Sequence, residues 1–339
     1  MQRSVCFVRY DMNKDRPSIS FEDMVDKLVF DYGLEINNRE SAINALKSMS
    51  YYDLINGYQD VFKSGDKYRK GVSIEYLYTF RHFDKSLQTI LFKYSTYVET
   101  KFKNILANTI AAEFGDDCTQ YLDINNYVNP YAAKRKNKLQ LTINRIEKEK
   151  LDAINNCSDP TYHYAEKHNH IPPWILLKNI TFNSTIDLYS FLPHQPKKII
   201  CDELVQYGIQ NKDDFLKNAL TITRKFRNVI AHNSKFITFQ SPRESIKTTD
   251  LFTGFGGTLL ERNDNKKGLG QKDAYSMILS MVVLLSDEYL SLQLLSELLT
   301  TITNFSRTDD RILADYCMAT KLPLDIKERI EKHIRRIST

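Results

Sequence analysis

The stretch Arg224-Lys225-Phe226-Arg227-Asn228-Val229-Ile230-Ala231-His232-Asn233 decides the fold prediction for this chain. When it and the residues before it are wound at about 100° per residue, the apolar side chains fall within an arc of about 100°. These side chains are Phe215, Ala219, Ile222, Phe226, Val229 and Ile230. The spacing predicts an amphipathic helix whose apolar stripe packs against a core.

The opposite face of this predicted helix carries Arg227, Arg224, Asn228 and His232. It combines two permanent cations, an amide and the one side chain that titrates near neutral pH. This set suits an anion that exchanges protons, such as a phosphodiester. The alternative interpretation is an ordinary solvated helix face. Evidence from the rest of the sequence is needed to distinguish the two interpretations.

Length and composition indicate a globular, mainly helical protein. The chain has 339 residues, of which 42% are hydrophobic, and this is enough to form a core. Eleven Gly and nine Pro are few for this length and disfavour a loop-rich β architecture. A formal net charge of +5 permits nucleic-acid binding through a basic patch without requiring it.

Cysteine usage and hydropathy predict a soluble cytoplasmic protein. The five cysteines contain no Cys-x-x-Cys pair, which disfavours a zinc ribbon and a disulfide framework, and we expect neither a metal nor another cofactor. Charged residues within 1–20 exclude a signal peptide. The longest apolar run, 277–285, is too short to span a bilayer, so no membrane contact is expected.

Three regions are predicted along the chain: a small, mainly helical region over 1–75, a helical region over 76–240, and a Gly-rich loop followed by helices over 241–339. In the first region, Ser20 is a candidate N-cap for a helix that stops at Gly33, and a second helix is expected from about Asn38 to Met49. In the second, residues 74–113 lack Gly and Pro, which indicates one long helix or two abutting ones. In the third, we expect a mobile loop over 240–272, one long apolar helix over 273–304 and a short amphipathic helix over 323–337.

Two further groups of polar residues are candidates for a functional role. Lys134, Arg135, Lys136 and Lys138 begin a run of seven basic residues that continues to position 150, and they are candidates for RNA-backbone contacts or for a solvated helix face. His163, His168 and His170 are predicted to cluster in a loop, with Glu166 nearby. Their spacing matches no metal signature, so surface histidines are the favoured interpretation. The single tryptophan, Trp174, is expected to be a structural anchor.

Several ordered blocks together resemble the Abi-like abortive infection proteins of bacteria, of the AbiD/AbiF type, which carry a HEPN domain. The blocks are Leu54-Ile55-Asn56-Gly57-Tyr58, then Phe83-Asp84-Lys85-Ser86-Leu87 through Val98-Glu99, then His163-Tyr164, Pro172-Pro173-Trp174-Ile175 and Thr181-Phe182, and finally Arg227-Asn228-Val229-Ile230-Ala231-His232-Asn233. The last block is similar to the family's Arg-Asn-x-x-Ala-His motif. The resemblance extends over roughly 20–240 and implies an all-α fold, a HEPN-type helical bundle with a small N-terminal region and a C-terminal helical extension.

The resemblance also implies an activity, namely metal-independent endoribonuclease action by a toxin of phage defence. In that chemistry a ribose 2′-OH attacks the neighbouring phosphate and leaves a 2′,3′-cyclic phosphate. By analogy His232 is the general acid or base, Arg227 binds the scissile phosphate, and Asn228 orients the imidazole or the phosphate. Arg224 is expected to be a second phosphate contact. The expected partners are RNA, as substrate and as a non-coding antitoxin, or a protein antitoxin.

One geometric difficulty accompanies this motif. Arg227 and His232 are about 140° apart on a regular helix. Either the helix ends near His232, with Asn233 in a left-handed conformation, or two copies of the motif meet in a homodimer. Glu99 is the first candidate for the acidic partner of Arg227 and Asp84 the second, the alternative being a surface ion pair or a bare charge at the helix edge. The competing functional hypothesis is a non-catalytic HEPN module that binds RNA or a protein.

Overall fold

The structure, a computed structural model, describes residues 18–129, 137–206, 208–286 and 288–338. Helices hold 69% of the chain, and within the described residues one two-stranded hairpin is the only sheet, so the all-α prediction is confirmed. The elements, in chain order, are α1 (Phe21–Phe30), α2 (Arg39–Ser48), a π-helical turn (Tyr52–Asn56), α3 (Gln59–Phe62), β1 (Lys63–Ser64), β2 (Lys67–Tyr68), α4 (Ile74–Phe114), α5 (Cys118–Tyr121), a 3₁₀ turn (Ile124–Asn126), α6 (Lys138–Asn155), α7 (Thr161–His168), α8 (Pro173–Asn179), α9 (Phe182–Ser190), α10 (His194–Leu204), α11 (Lys212–Ala231), α12 (Phe252–Phe255), α13 (Asp264–Lys267), α14 (Ala274–Leu285), α15 (Glu288–Thr308), α16 (Arg311–Thr320) and α17 (Ile326–Ile337). The chain divides into two compact units, Met1–His82 and Phe83–Thr339, and the boundary falls within α4.

The first unit begins with two capped helices that lie where the sequence predicts them. The Ser20 hydroxyl accepts the backbone N–H of Asp23 to start α1, and the Asn38 side chain accepts the N–H of Ser41 to start α2. Gly33, at φ +64°, supplies the left-handed residue that turns the chain after α1. The core of this unit contains Phe62 and Phe80, whose rings meet edge to face at 4.9 Å.

The second unit is organised around α14, in which every residue is buried. α11 packs along α14, and α15 packs against α14, α16 and α17. The long helix α4 is one continuous helix rather than two abutting ones, and it ends where Gly115 adopts φ +92°. Its buried residues include Phe83, Leu91 and Phe102, so this helix contributes to the core of the second unit over several turns.

The prediction of a single helix over 273–304 is wrong. The chain forms α14 and α15 instead, because Ser286 adopts a left-handed conformation with φ +40°. The Lys101 ammonium of α4 donates to the carbonyl oxygen of Leu285 at 2.5 Å and to the Ser286 hydroxyl at 2.6 Å. A cation therefore occupies the C-terminal end of α14, where it stabilises the break. This tertiary contact has no signature in the local sequence.

The segment 240–272, predicted as a mobile loop, is a folded part of the second unit. Leu251, Phe255 and Leu259 are buried, and the two short helices α12 and α13 lie within the segment. Arg329 of α17 holds the segment in place: it forms a buried ion pair with Asp264 and donates to the carbonyl oxygen of Leu259 at 3.3 Å. The glycines of this segment do not make it flexible: Gly257, for example, adopts φ +73° in a compact turn.

Two predictions about the middle of the chain are also corrected. His163 and His168 lie on α7, not in a loop. Their rings are 5.5 Å apart, and both contact the ring of Tyr164. Trp174 lies at the start of α8 with 44% of its surface exposed, so it is not a buried anchor. The helix-forming residues after it, Ile175 to Leu177, supply the buried face instead.

We predict that Arg329→Leu destabilises the protein by about 3 kcal/mol, because it leaves the Asp264 carboxylate buried without its cation. The matched control is Arg335→Leu on the same helix, where the side chain is 80% exposed and 3.9 Å from Glu331. Its expected cost is below about 0.5 kcal/mol. Urea unfolding measures both, and equal losses for the two variants would contradict the assignment.

Stability is expected to fall on acidification because of His333. The ring is buried, its Nδ1 lies 3.0 Å from the Thr258 hydroxyl, and burial lowers its pKa from 6.5 to about 4. The folded state therefore binds fewer protons than the unfolded state, so this stabilising contribution is present above pH 6.5 and is lost as the pH falls towards 4. The expected loss is of the order of 3 kcal/mol. In His333→Leu, the free energy of unfolding measured with urea should fall less between pH 6.5 and pH 4 than it does in the parent protein.

Candidate active site

Helix α11 carries the candidate motif and presents two different faces. It begins where the Asn211 side chain accepts the N–H of Asp214, and Asp213 and Asp214 place negative charge in its first turn. Along the predicted apolar stripe, Phe215, Ala219, Ile222 and Phe226 are buried. Val229 and Ile230 are only half-buried, so burial of the stripe decreases towards the end that bears the motif.

The C-terminal end of α11 is closed by a Schellman motif centred on Asn233. His232 is the C-cap residue, and Asn233 follows it at φ +49°. This left-handed conformation of Asn233 is one of the two alternatives that the sequence predicts. The N–H of Asn233 donates to the carbonyl of Ile230 at 3.0 Å, and that of Ser234 donates to Val229 at 2.9 Å. This termination leaves the His232 side chain exposed to solvent.

Lys85 of α4 contacts this helix end. Its ammonium lies 2.5 Å from Oδ1 of Asn233 and 2.9 Å from Oε1 of Gln88, which is itself buried. A cation at the C-terminal end of α11 interacts favourably with the helix dipole. The segment that positions His232 is therefore fixed both by backbone hydrogen bonds and by a side chain from a second helix.

Arg227 lies on the side of α11 that faces α4. Its Nη2 donates to Oε2 of Glu99 at 3.2 Å, its Nη1 donates to Oδ1 of Asn228 at 3.2 Å, and the guanidinium lies 5.9 Å from the centroid of the Phe92 ring. The other oxygen of Glu99 lies 2.8 Å from Nζ of Lys103. Glu99 therefore joins two cations, and the Arg227 side chain retains 31% exposure beside this pair.

Asp84, the second candidate for the partner of Arg227, lies elsewhere. It is buried on α4 and accepts a hydrogen bond from the Tyr316 hydroxyl at 3.2 Å. Fifteen residues of helix separate it from Glu99, a rise of roughly 22 Å. The structure thus places Glu99 beside Arg227, whereas Asp84 belongs to a contact between α4 and α16.

The predicted RNA-contacting residues are distributed as follows. Arg224 lies one turn before Arg227 and is half-buried; burial lowers the pKa of its guanidinium, while the charges of Asp187 and Glu244 raise it. Lys138 begins α6, and its ammonium lies 3.7 Å from Asp187. Lys134, Arg135 and Lys136 lie outside the described residues.

The histidines of the middle region do not form a metal site. His170 lies 3.8 Å from both Asp116 and Asp117, and His163 and His168 project from α7. Over the described ranges 18–129, 137–206, 208–286 and 288–338, no group of three or more His, Cys, Asp or Glu side chains is arranged to hold a metal ion.

Three contact residues were not singled out from the sequence: Lys85, Phe92 and Lys103. One signal was available for Lys103, because Glu99 and Lys103 are four residues apart and such pairs meet on a helix surface. Lys85 and Phe92 carried no comparable signal. Their roles depend on how α4 crosses α11, which sequence spacing within either helix does not specify.

A profile of the Abi-like protein family matches residues 44–238, more than half of the chain. The chain belongs to the Abi-like protein family. The matched range includes Glu99, Arg227 and His232, and membership suggests a role in abortive infection. Searches of curated proteins and of solved structures find no match to this Abi-like protein. Within the part of the chain that the structure describes, no helix is both long and apolar enough to cross a membrane.

In this Abi-like protein, the end of α11 does not by itself bring Arg227 and His232 together. The helix is regular through Ala231, and His232 has φ −92° and ψ 12°, close to the helical region. The direction of its side chain therefore remains about 140° away from that of Arg227. Termination at His232 exposes the imidazole, but the guanidinium faces Glu99 on a different side of the same helix.

We predict that Asn233→Ala and Asn233→Gly differ in stability although both remove the contact with Lys85. An alanine at φ +49° places its β-carbon against the backbone and should cost about 1 kcal/mol more than the glycine variant. Glycine adopts this conformation without strain. Urea unfolding of the two variants measures the difference, and equal stability would show that the left-handed residue is not required.

Proposed function

We propose that this Abi-like protein contains a HEPN domain of the AbiD/AbiF type and acts as an RNA-cleaving toxin in bacterial abortive infection. The observation that carries the proposal is the arrangement of the Arg-Asn-x-x-Ala-His block at the end of α11. His232 is exposed at a well-defined helix terminus, and Arg227 is oriented by Glu99 and Asn228. An exposed imidazole and an oriented guanidinium are the groups that metal-independent cleavage of RNA requires.

In the proposed reaction, a ribose 2′-oxygen attacks the adjacent phosphorus and the bond to the 5′-oxygen of the next nucleotide breaks. His232 takes the proton from the 2′-OH or supplies one to the leaving 5′-oxygen, and water carries out the other proton transfer. Arg227 stabilises the additional negative charge on the phosphate through charge-assisted hydrogen bonds. Asn228, whose Oδ1 accepts from Arg227 at 3.2 Å, keeps the guanidinium in one orientation.

Glu99 has two consequences for this site. Its carboxylate holds Arg227 in place before RNA arrives, and it competes with a phosphate for the same guanidinium. Because Glu99 also pairs with Lys103, it keeps a cation when Arg227 turns to the substrate. The cost of leaving this partly buried carboxylate unpaired is therefore avoided.

We further propose that the active site is composite and forms in a homodimer. Within one chain the Arg227 and His232 directions differ by about 140°, so a single phosphate is not easily contacted by both. A two-fold arrangement brings the Arg227 of one copy to the His232 of the other, because the same surface meets itself across the axis. Restraint of such a toxin in uninfected cells would come from an RNA or a protein antitoxin.

The catalytic proposal is tested by incubating the purified protein with RNA in EDTA. Arg227→Ala and His232→Ala should each lower the cleavage rate by at least about 100-fold. Arg335→Ala and His194→Ala, which change exposed residues of the same types on α17 and α10, should cleave like the parent. Cleavage that survives both motif substitutions would refute the assignment. RNA binding without cleavage by the parent would favour the non-catalytic HEPN module.

Mixing the two inactive variants tests the composite site. In a dimer formed from Arg227→Ala and His232→Ala chains, one of the two sites keeps an intact arginine and an intact histidine. A statistical mixture should therefore recover roughly a quarter of the parent activity. If each site is built within one chain, mixing restores nothing, and the dimer proposal fails while the catalytic assignment stands.

A further inference from the structure

Two cationic side chains contact one carboxylate beside α11, and the charge of a third cation interacts with it. The Arg145 guanidinium donates to Asp187 through Nη2 at 2.7 Å, and the Lys138 ammonium lies 3.7 Å from the other Asp187 oxygen. Arg224 is close enough for its charge to interact with those of Asp187 and Arg145. We call Lys138, Arg145, Arg224 and Asp187 the α9 cluster.

The packing of three helices brings the α9 cluster together. Asp187 lies on α9, which packs against α6 on one side and α11 on the other. Lys138 and Arg145 lie two turns apart on α6, and Arg224 lies on α11. The side chains of Lys138, Arg145 and Asp187 are 26%, 38% and 23% exposed, so a ligand in solvent can reach the cluster.

The cluster has an excess of positive charge that its own residues do not balance. Three cations and one carboxylate give a net charge of +2. Of the neighbouring carboxylates, Glu244 pairs with Lys225. Glu149 accepts the N–H of Thr181 at 2.9 Å and the Ser184 hydroxyl at 2.8 Å, and it keeps its negative charge, so the local excess of positive charge is about +1. The Arg224 Nε is buried and meets no acceptor within the described residues. Like charges held this close favour binding of an anion.

The position of Arg224 connects the cluster to the motif. Arg224 and Arg227 are three residues apart on α11, a rise of about 4.5 Å and a rotation of about 60°. A phosphate held at Arg227 and another held at the α9 cluster can therefore belong to one strand. A single-stranded polynucleotide supplies such consecutive anions, whereas an isolated anion occupies only one position.

We propose that the α9 cluster is a second subsite that binds a backbone phosphate of the RNA on the flank of the scissile bond. The identity of the ligand rests on the proposed function, while the subsite itself rests on the contacts given above. Arg145 is the main contact, because its guanidinium is the most exposed of the residues that meet Asp187. Asp187 has two opposite effects on binding. It keeps Arg145 oriented, which favours binding, and it competes with the phosphate for the Arg145 guanidinium, which opposes it.

The subsite is tested by RNA binding in the His232→Ala background, so that the measurement does not depend on cleavage. Fluorescence anisotropy with a single-stranded RNA should show Arg145→Gln binding about five-fold more weakly at 0.1 M salt. The salt dependence of log K should become less steep by about 0.7. Arg145→Lys should restore most of the affinity. Asp187→Asn should bind more tightly than its parent, because a competing negative charge is removed while the amide still accepts from Arg145.

Arg311→Gln is the matched control, because Arg311 also forms a surface pair with an aspartate, Asp309, at 2.7 Å. It should leave RNA affinity unchanged within about 1.5-fold. Loss of affinity in Arg145→Gln alone, with the opposite change in Asp187→Asn, supports the subsite. If Arg145→Gln and Arg311→Gln bind RNA with the same affinity, the subsite is refuted. It is also refuted if inorganic phosphate at millimolar concentration displaces RNA equally from both variants. Failure of the catalytic proposal appears separately, as a parent protein that does not cleave RNA.

Discussion

The ion pair between Arg227 and Glu99 is the interaction on which the candidate site depends. It joins the motif helix α11 to the long helix α4, and it determines which way the guanidinium faces. Lys103 shares the same carboxylate, and its ammonium also donates to the carbonyl of Ile180 at 2.8 Å. The pair is partly exposed, so its direct contribution to stability is small. Its importance lies in orientation: a long, flexible side chain is kept in one conformation beside solvent.

The surroundings of Arg227 and those of His232 are held in place in different ways. Around Arg227, charged side chains from α4 and α11 meet and remain partly hydrated. Around His232, backbone hydrogen bonds of the Schellman motif fix the chain, and the imidazole extends into solvent. One chain therefore presents a restrained guanidinium on one side of α11 and an exposed imidazole on another. This separation is the physical reason for proposing that two copies cooperate. Arg224 lies one turn before Arg227 on α11 and connects this site to the α9 cluster.

Features that depend on local sequence were predictable. Ser20 was predicted as a helix N-cap from capping chemistry, a second helix was expected from about Asn38, and the absence of Gly and Pro over 74–113 indicated α4. Glu99 was a reasoned candidate for Arg227, and the structure brings the two together. Features that depend on tertiary contacts were missed. Lys101 stabilises the break between α14 and α15, and Arg329 holds the Gly-rich segment in place. Asp187 interacts with cationic side chains of α6 and α11. None of these contacts joins residues close in sequence, so no periodicity reveals them.

We propose that this Abi-like protein cleaves RNA by attack of a ribose 2′-oxygen, and the chemical ends of its products distinguish this reaction from hydrolysis by water. Defined single-stranded RNA is incubated with the purified protein in EDTA, and the new termini are identified by mass spectrometry. We expect 2′,3′-cyclic phosphate and 5′-hydroxyl ends that disappear in His232→Ala. A matched RNA with a 2′-deoxy nucleotide at the cleavage site should resist cutting there. Products with 3′-hydroxyl and 5′-phosphate ends, or cleavage next to the deoxy position, would contradict it.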